Sequence, residues 1–423
     1  VNPEGCRREL ERRLAQAGGH PWLVLWLDLD GFRRVNHSFG REVGDALLQA
    51  VANGLRAWAK PSDLLARLGG DEFVLVRELP GPADDPVALA RQAEAVLGEL
   101  RGALSQLPVG DELAPMALGF SAGYSLAPLH GEQVEALLQG AATALSRARE
   151  VAPGTALAYE PRYTTRLRRE MALEARLHRA LGDGALRLVY QPQYDGSGCF
   201  LGAEALLRWD DPIHGAVPPA RFVALAERTN LIHPLGQWVL EEACRQLRAW
   251  LDAGLQIPRL AVNLSPRQFE LTLPPLVDQV TALLARHRLP AGLLELEITE
   301  TCILPAAGVT AQVQDLAALG VRLALDDFGT GYSSLSVLNR LPLHKLKIDR
   351  SFIQHLETSD SARTIVRTAL AMGRGLGLET LAEGLETAGQ LAVLEALGCD
   401  AYQGYWFSRP LEVEAFEALL RAG

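Results

Sequence analysis

Apolar positions fall into two differently spaced patterns that meet near residue 160. In the first, the unbroken run Trp22-Leu23-Val24-Leu25-Trp26-Leu27 ends in Asp28-Leu29-Asp30 and predicts a buried strand with carboxylates at its C-terminal end. Val43, Leu47, Leu48, Val51 and Leu55 share one face of a helix over roughly 41–58. The runs Leu64-Leu65-Ala66-Arg67-Leu68 and Phe73-Val74-Leu75-Val76 flank Gly69-Gly70, a β-hairpin signal. Prolines among acids over roughly 78–86 predict a surface loop. A helix over roughly 87–104, a strand over roughly 116–126 and a helix over roughly 132–150 complete an α+β unit.

Residues 160–181 mix Arg162, Arg166, Arg168, Arg169, Arg176 and Arg179 with Glu160, Glu170 and Glu174. Leu167, Met171, Leu173, Leu177 and Leu181 recur at helical spacing, so the stretch predicts a solvated connector helix with its apolar side inward. Beyond it strand and helix alternate. Apolar strands are expected near 186–191, 201–207, 259–264, 293–299, 320–326, 344–348, 377–382 and 400–404. Helical stretches separate most of them, among them roughly 219–228, 234–253, 274–287 and 361–374. About eight strands in roughly 250 residues suggest a (β/α)8 barrel, with its chemistry at the strands' C-terminal ends.

The 423 residues exceed one ordinary domain, and 41 basic against 51 acidic residues give a charge of −10. That balance argues against a coat for nucleic acid or anionic membrane, and leaves room for a local basic pocket. No apolar run is long enough to span a bilayer. The start, Val1-Asn2-Pro3-Glu4-Gly5, has no initiator Met or signal-peptide pattern and reads as an excised fragment. Five scattered cysteines without a C-x-x-C pair suggest a reducing compartment, and the histidines form no ligand pair. Any metal must be held mainly by oxygen.

Oxygen ligands recur where the barrel strands end: Glu204, Asn263, Glu297, Asp326-Asp327, Glu383, Glu386 and Gln403, with Lys347 and Arg208 nearby. Alternation puts Glu295, Glu297 and Thr299 on one side of their strand. Taken alone, Asp326-Asp327 is more often a turn or helix cap. Several carboxylates converging on one mouth repel one another, and divalent cations are the usual compensation. Two hard cations can clamp a phosphodiester, and a nearby basic group suits an anionic substrate, so the chemistry reads as metal-assisted phosphate-ester hydrolysis. Asp327-Phe328-Gly329 spells the kinase metal-binding tripeptide, but neither a G-x-G-x-x-G loop with V-A-I-K nor H-R-D accompanies it.

The ordered motifs Tyr190-Gln191-Pro192, Glu204-Ala205-Leu206-Leu207-Arg208-Trp209, Asn263-Leu264-Ser265, Glu297-Ile298-Thr299-Glu300, Asp326-Asp327-Phe328-Gly329-Thr330-Gly331, Lys347-Ile348-Asp349-Arg350, Ala382-Glu383-Gly384-Leu385-Glu386 and Gln403-Gly404-Tyr405 resemble the EAL family of cyclic-di-GMP phosphodiesterases over residues 170–423. The resemblance implies a barrel enzyme that hydrolyses cyclic-di-GMP to linear pGpG with two Mg2+ or Mn2+ ions. Glu204, Asn263, Glu297 and Asp326 would hold one metal, and Asp326, Asp327 and Glu383 the second. Lys347 would hold the attacking water, Gln403 would support the cluster, and Arg208 and Glu386 would meet substrate. The loop Asp327–Ser334, braced by Glu300, would link substrate, metal and a homodimer contact. Loss of metal ligands would instead mark a non-catalytic cyclic-di-GMP receptor, and none is lost.

Arg67-Leu68-Gly69-Gly70-Asp71-Glu72-Phe73, together with Asp28-Leu29-Asp30-Gly31-Phe32, Asn36, Gly40, Gly44 and Asp45, is similar to the GGDEF domain of diguanylate cyclases. That implies a GTP site. Asp28, Asp71 and the Leu29 carbonyl would hold one or two Mg2+, Asn36 and Asp45 would read guanine, Gly69 and Gly70 would let phosphate approach, and Glu72 would be a nearby acid. Departures from the family pattern fall at His37, Arg41 and the late segment, where the phosphate-contacting Lys is Arg149. The inhibitory R-x-x-D motif reads Lys60-Pro61-Ser62-Asp63, without its bidentate Arg.

The reading is therefore an α+β GGDEF domain over 1–158, a connector helix over 159–181 and an EAL (β/α)8 TIM-type barrel over 182–423. It is expected to be cytoplasmic, either by itself or as the cytoplasmic part of a longer membrane-bound or sensory protein, to bind cyclic-di-GMP and GTP, and to lack nucleic-acid partners and, in this fragment, membrane segments. The alternative is a bifunctional cyclase and phosphodiesterase.

Overall fold

The computed structural model describes residues 3–16, 20–81, 83–105, 119–270, 274–303, 307–329 and 340–422. Asn2, the start of the strand expected over 116–126, and Thr330–Ser334 of the expected substrate loop lie outside them. The chain divides into two units, Val1–Met171 and Ala172–Gly423.

In the first unit the strands are β1 (Trp22–Leu29), β2 (Leu64–Gly69), β3 (Glu72–Glu78), β4 (Phe120–Ala127) and β5 (Ala156–Ala158), in the order β2-β3-β1-β4-β5. β1 pairs antiparallel with both β3 and β4, and β4 pairs parallel with β5. As the central strand it is covered on both faces, which explains its unbroken apolar run. Leu23, Leu25, Leu27 and Leu29 join a core with Phe73 and Leu97, while Trp22 and Val24 join another with Leu10, Val74 and Leu137. The helix Val134–Val151 lies so close to β4 that a Cβ on Gly123 would stand 2.0 Å from the Leu145 nitrogen.

The second unit contains β6 (Leu186–Tyr194), β7 (Phe200–Asp211), β8 (Gly215–Val217), β9 (Leu260–Leu264), β10 (Leu294–Thr299), β11 (Arg322–Phe328), β12 (Lys345–Ile348), β13 (Glu379–Glu383) and β14 (Ala401–Gln403). The order β6-β14-β13-β12-β11-β10-β9-β7 closes through β6–β7 into an eight-stranded barrel, with β8 attached to β7 as a hairpin. All eight expected strands are present. β6 runs antiparallel to both neighbours, unlike the other strands of the closed barrel. The short Asp195–Cys199 link allows a hairpin, whereas a parallel crossover needs a dozen residues or more.

The helix Pro161–Asp183 occupies the expected connector stretch. Its inward face begins later than expected. Leu173, Leu177 and Ala180 pack with Trp209, Phe222 and Leu225, with Leu181 at the margin, whereas Leu167 and Met171 are exposed. The step of two from Met171 to Leu173 turns about 200° around the helix, so Leu167 and Met171 lie off the face that Leu173, Leu177 and Ala180 turn to the cluster. Arg162 and Arg166 pair with Glu160 and Glu170 on the solvated face, whereas Arg176 pairs with buried Asp211. No helix among the described residues is long and apolar enough to cross a membrane.

One buried ion pair in the first unit carries a test of stability. Arg77 donates to both Asp63 oxygens, with Nη2 2.6 Å from Oδ2, and lies over the Trp58 ring. Their side chains are 3% and 1% exposed. Removing Asp63 leaves the guanidinium with exposed Glu99 at 3.7 Å. Asp63→Ala is expected to cost about 3 kcal/mol, read by denaturant titration beside wild type. A loss below about 1 kcal/mol would show that the pair contributes no more than a surface contact.

Candidate active site

Seven barrel strands deliver side chains to one mouth. Glu204 comes from β7, Asn263 from β9, Glu297 from β10, Asp326 and Asp327 from β11, Lys347 from β12, Glu383 from β13 and Gln403 from β14. Strand register sets them side by side, Glu297 opposite Asn263 and Glu383 opposite Gln403. Lys347 Nζ lies 2.6 Å from Glu297, 2.6 Å from Glu383, 3.2 Å from Asp326 and 3.7 Å from Glu204. Glu204 accepts from Asn263 Nδ2 and Gln403 Nε2, both at 2.6 Å. Asn263 thereby turns its carbonyl oxygen away from Glu204, as a ligand oxygen must be turned.

Consecutive strand residues face opposite ways, so Asp326 and Asp327 cannot both enter one site from a regular strand. A register irregularity between Leu325 and Phe328 and a left-handed φ of 54° at Asp327 resolve this. Asp326, Asp327 and Glu383 can thus place one carboxylate oxygen each within 4.8 Å of one another, a group that could hold a metal ion. A non-glycine residue held there costs on the order of 1–3 kcal/mol, and such strain concentrates at functional sites.

The remaining expected barrel residues are placed unequally. Arg208 is half-buried beside a cavity of about 490 Å³ that Asn263, Thr299 and Asp327 also line. Its guanidinium donates to the Leu207 carbonyl and has no ion-pair partner among the described residues. Buried Glu300 accepts from the Gly329 backbone N–H at 3.3 Å, which ties it to the described start of the substrate loop. Glu386 is exposed, with its backbone N–H donating to Gln390.

In the first unit Asp28 at the end of β1 lies opposite Glu72 in register, and Arg149 pairs with both. Glu72 also accepts from Trp26 Nε1 at 3.3 Å. Burial raises the Asp28 carboxyl to about 6 despite Arg149, with Asp71 adding to the rise. Gly69 and Gly70 have open space where a Cβ would point, and Gly70 takes a left-handed φ of 50°. Asn36 is half-buried, and its Oδ1 stands 1.9 Å from where a Cβ on Gly44 would lie, so this approach requires glycine beside exposed Asp45. Leu29 buries its side chain at the end of β1. Asp30 turns aside from the acidic group and accepts from Ser121 and the Gly154 N–H. Asp63, the surviving acid of the altered inhibitory motif, is taken up by Arg77.

The sequence reading missed the side chains beneath the barrel mouth. Gln191, Gln193 and Lys345 are buried and join Gln403 in hydrogen bonds. Lys345 and Lys347 stand two apart on one strand, as Glu295 and Glu297 do on another. That spacing was the available signal for a second inward layer.

Charge decides what the mouth can do. Five carboxylates less one ammonium leave four negative charges, matching two divalent cations. Burial drives the Glu297 carboxyl well above its ordinary range, reinforced by Glu204. Glu297 Oε1 is buried without a hydrogen-bond partner among the described residues. Burial opposes ionisation of Glu204, but Lys347 and the Gln403 and Asn263 amides outweigh it and hold its pKa low. Burial also opposes the charge on Lys347, and the carboxylates around it prevail. Glu383 is raised by burial to about 8 and Asp327 to about 6. A cation entering between Asp326, Asp327 and Glu383 must displace the Glu383 proton, so binding releases a proton and is favoured at higher pH. Mn2+ affinity should therefore rise between about pH 6 and about pH 8 and level off above. Affinity that is flat or falling across that range, measured by titration, would refute the assignment.

Comparison with known proteins agrees with both units. The EAL domain model matches residues 174–410, and the diguanylate cyclase GGDEF domain model matches residues 2–152. The bifunctional diguanylate cyclase/cyclic di-GMP phosphodiesterase MucR of Pseudomonas aeruginosa is 40% identical over 409 residues, 96% of this chain and 58% of that protein. The cyclic di-GMP phosphodiesterase PdeR of Escherichia coli is 35% identical over 396 residues, 93% of this chain and 58% of that protein. The chain thus spans less than two thirds of the length of these curated relatives. A solved structure of the PaMucR phosphodiesterase in its c-di-GMP complex is 45% identical, with a TM-score of 0.56, covering 58% of this chain and 99% of that one. The chain belongs to the GGDEF–EAL family, with a GGDEF domain followed by an EAL barrel.

Proposed function

We propose that the barrel is a metal-dependent phosphodiesterase that hydrolyses cyclic-di-GMP to linear pGpG. The observation that carries this reading is the deficit of four positive charges at a mouth built from strand ends, beside a cavity lined by Arg208. The acids, the carbonyl oxygen of Asn263 and the unpartnered Glu297 Oε1 form an all-oxygen donor set suited to Mg2+ or Mn2+. Glu204, Asn263, Glu297 and Asp326 would hold one cation, and Asp326, Asp327 and Glu383 the second. When bound, such a pair lowers the pKa of a water and neutralises charge developing on the phosphoryl group.

The chain's own groups do the rest. Lys347, a donor only, holds the attacking water through a lone pair. Arg208 draws a non-bridging phosphoryl oxygen toward the mouth, and Glu386 lies on the substrate side. Gln403 keeps Glu204 oriented, and Glu300 braces the backbone after Asp327. Water oxygen bonds to phosphorus as the phosphorus–O3′ bond breaks, and the proton the water gives up balances the one the leaving O3′ takes. A homodimer through the barrel belongs to the same reading.

The first domain is proposed to bind GTP with Mg2+ at Asp28, the Leu29 carbonyl and Asp71. Asn36 and Asp45 would face guanine, and the phosphates would lie over the loop after Asp28, with Gly69, Gly70 and Glu72 nearby. A site that keeps Asp28, Asn36, Asp45 and Asp71 but has Arg149 in place of the phosphate-contacting Lys suits a regulatory better than a synthetic role. The alternative is a bifunctional enzyme that also makes cyclic-di-GMP.

Glu204→Ala should lower turnover at least about a hundredfold, on the order of 3 kcal/mol of barrier, and chelation should stop the wild type. More than about a tenth of wild-type turnover in that variant would remove Glu204 from the ligand set. GTP should raise cyclic-di-GMP hydrolysis severalfold in wild type and not in Asp45→Ala, since a coupling of roughly 1–3 kcal/mol is typical. Equal rates in all four conditions would end the regulatory reading. Cyclic-di-GMP accumulating from GTP in the Glu204→Ala protein would establish the bifunctional one.

A further inference from the structure

We propose that Lys345 and Gln193 are positioning residues that fix the amide orientation of Gln403, and through it the metal-binding geometry of Glu204, from inside the barrel. The inference rests on the metal-site reading above and concerns side chains that reading does not use.

A hydrogen-bonded chain runs from the barrel interior to the mouth. Glu295, fully buried, accepts from Lys345 Nζ at 2.5 Å. The same ammonium donates to Gln193 Oε1 at 3.0 Å. Gln193 Nε2 donates to Gln403 Oε1 at 2.9 Å, and Gln403 Nε2 donates to Glu204 Oε2 at 2.6 Å. The second Gln403 N–H goes to Gln191 Oε1 at 3.1 Å, and Gln191 Nε2 donates to the Ser408 carbonyl at 3.1 Å.

The direction of every bond in this chain is imposed from its ends. An ammonium can only donate, so the Gln193 atom facing Lys345 must be its oxygen, and its NH2 must face Gln403. A backbone carbonyl can only accept, so Gln191 must turn its NH2 to Ser408 and its oxygen to Gln403. Both constraints independently require Gln403 to present its oxygen to Gln193 and its NH2 to Gln191 and Glu204. A reversed Gln403 would set its one carbonyl oxygen 2.6 Å from the Glu204 carboxylate oxygen and 3.1 Å from the Gln191 amide oxygen. Gln191, Gln193 and Gln403 are all buried, so water does not relieve a reversal. Lys345 is itself held by Glu295, which Arg322 approaches at 3.3 Å from the other side.

Gln193→Glu and Gln193→Met separate this role from simple packing, because both keep the length of the side chain. In Gln193→Glu the bond to Lys345 survives, but the second oxygen cannot donate and favours a reversed Gln403. Added negative charge alone would strengthen cation binding, so the proposed effect has the opposite sign. Mn2+ binding to the intact chain, read by equilibrium titration, should weaken roughly tenfold in Gln193→Glu and only about twofold to threefold in Gln193→Met. The kcat for cyclic-di-GMP should fall with it, while KM stays within about twofold. Circular dichroism and melting establish folding. Mn2+ affinity in folded Gln193→Glu equal to or above wild type, or lower in Gln193→Met than in Gln193→Glu, overturns the proposal. If Gln193→Glu does not fold, Gln193→Met decides, and unchanged Mn2+ affinity there overturns it. Failure of the wild type to bind Mn2+ would defeat the metal reading itself, and the positioning role with it.

Discussion

The barrel has to bury carboxylates, and how it neutralises them organises the second unit. Alternation on β10 and β12 stacks two ionic layers in the interior, Glu295 with Lys345 and Glu297 with Lys347. The lower layer is complete within the chain: Lys345, Arg259 and Arg322 surround Glu295, and both arginines reach Glu379. Burial opposes ionisation of Glu295, yet Lys345 and the arginines hold its pKa below the ordinary range. The upper layer has the same architecture with one ammonium for five acids. A buried charge without a partner costs several kcal/mol, so the upper layer is stable only with protons or cations added. Its raised carboxyl groups are the proton-loaded form of that requirement.

The same logic operates on a smaller scale in the GGDEF unit. Asp28 is partly buried beside Asp71 and Glu72, and the guanidinium of Arg149 supplies the compensating charge. An Arg fills that role with a rigid, permanently charged fork, which a Lys at this position would not reproduce. Asp63 meets the corresponding need of Arg77 in a pair shielded from water. With Asp63 engaged in this way, the acid at the position of the expected inhibitory motif is taken up by the chain's own Arg77.

Much of this was legible in the residues. The apolar runs located all eight barrel strands, and the Gly69-Gly70 hairpin and the Arg41–Trp58 helix fall where periodicity put them. Carboxylates at strand ends marked the mouth because a parallel register carries each strand's last residues to one rim. What periodicity could not express was direction and partner. It gives apolar spacing on β6 but not its antiparallel sense, which the length of the Asp195–Cys199 link decides. Leu167 and Met171 were expected inward, but the two-residue step from Met171 to Leu173 sets them on another side of the helix from the buried face. Gln191 stood out only as part of a motif and Gln193 not at all, since the role of a buried amide is recognised only by the groups that satisfy it.

Asp327 shows how far strand geometry alone can build the site. Glu204, Asn263, Glu297 and Asp326 all lie within strands, so their positions follow from ladder hydrogen bonds shared with the whole barrel. Asp327 leaves that register at a φ of 54°, with Gly329 following at 100° and the Gly329 N–H held by Glu300. A Cβ on Gly329 would lie 2.8 Å from the Phe352 ring, so this turn has little room to adjust. In the proposed assignment one cation therefore rests wholly on the rigid barrel. The other rests partly on a strained turn whose conformation depends on Glu300 as much as on β11. Charge repulsion between Asp326 and Asp327 acts against that turn, so a cation bound by both would stabilise the backbone conformation that creates its own site.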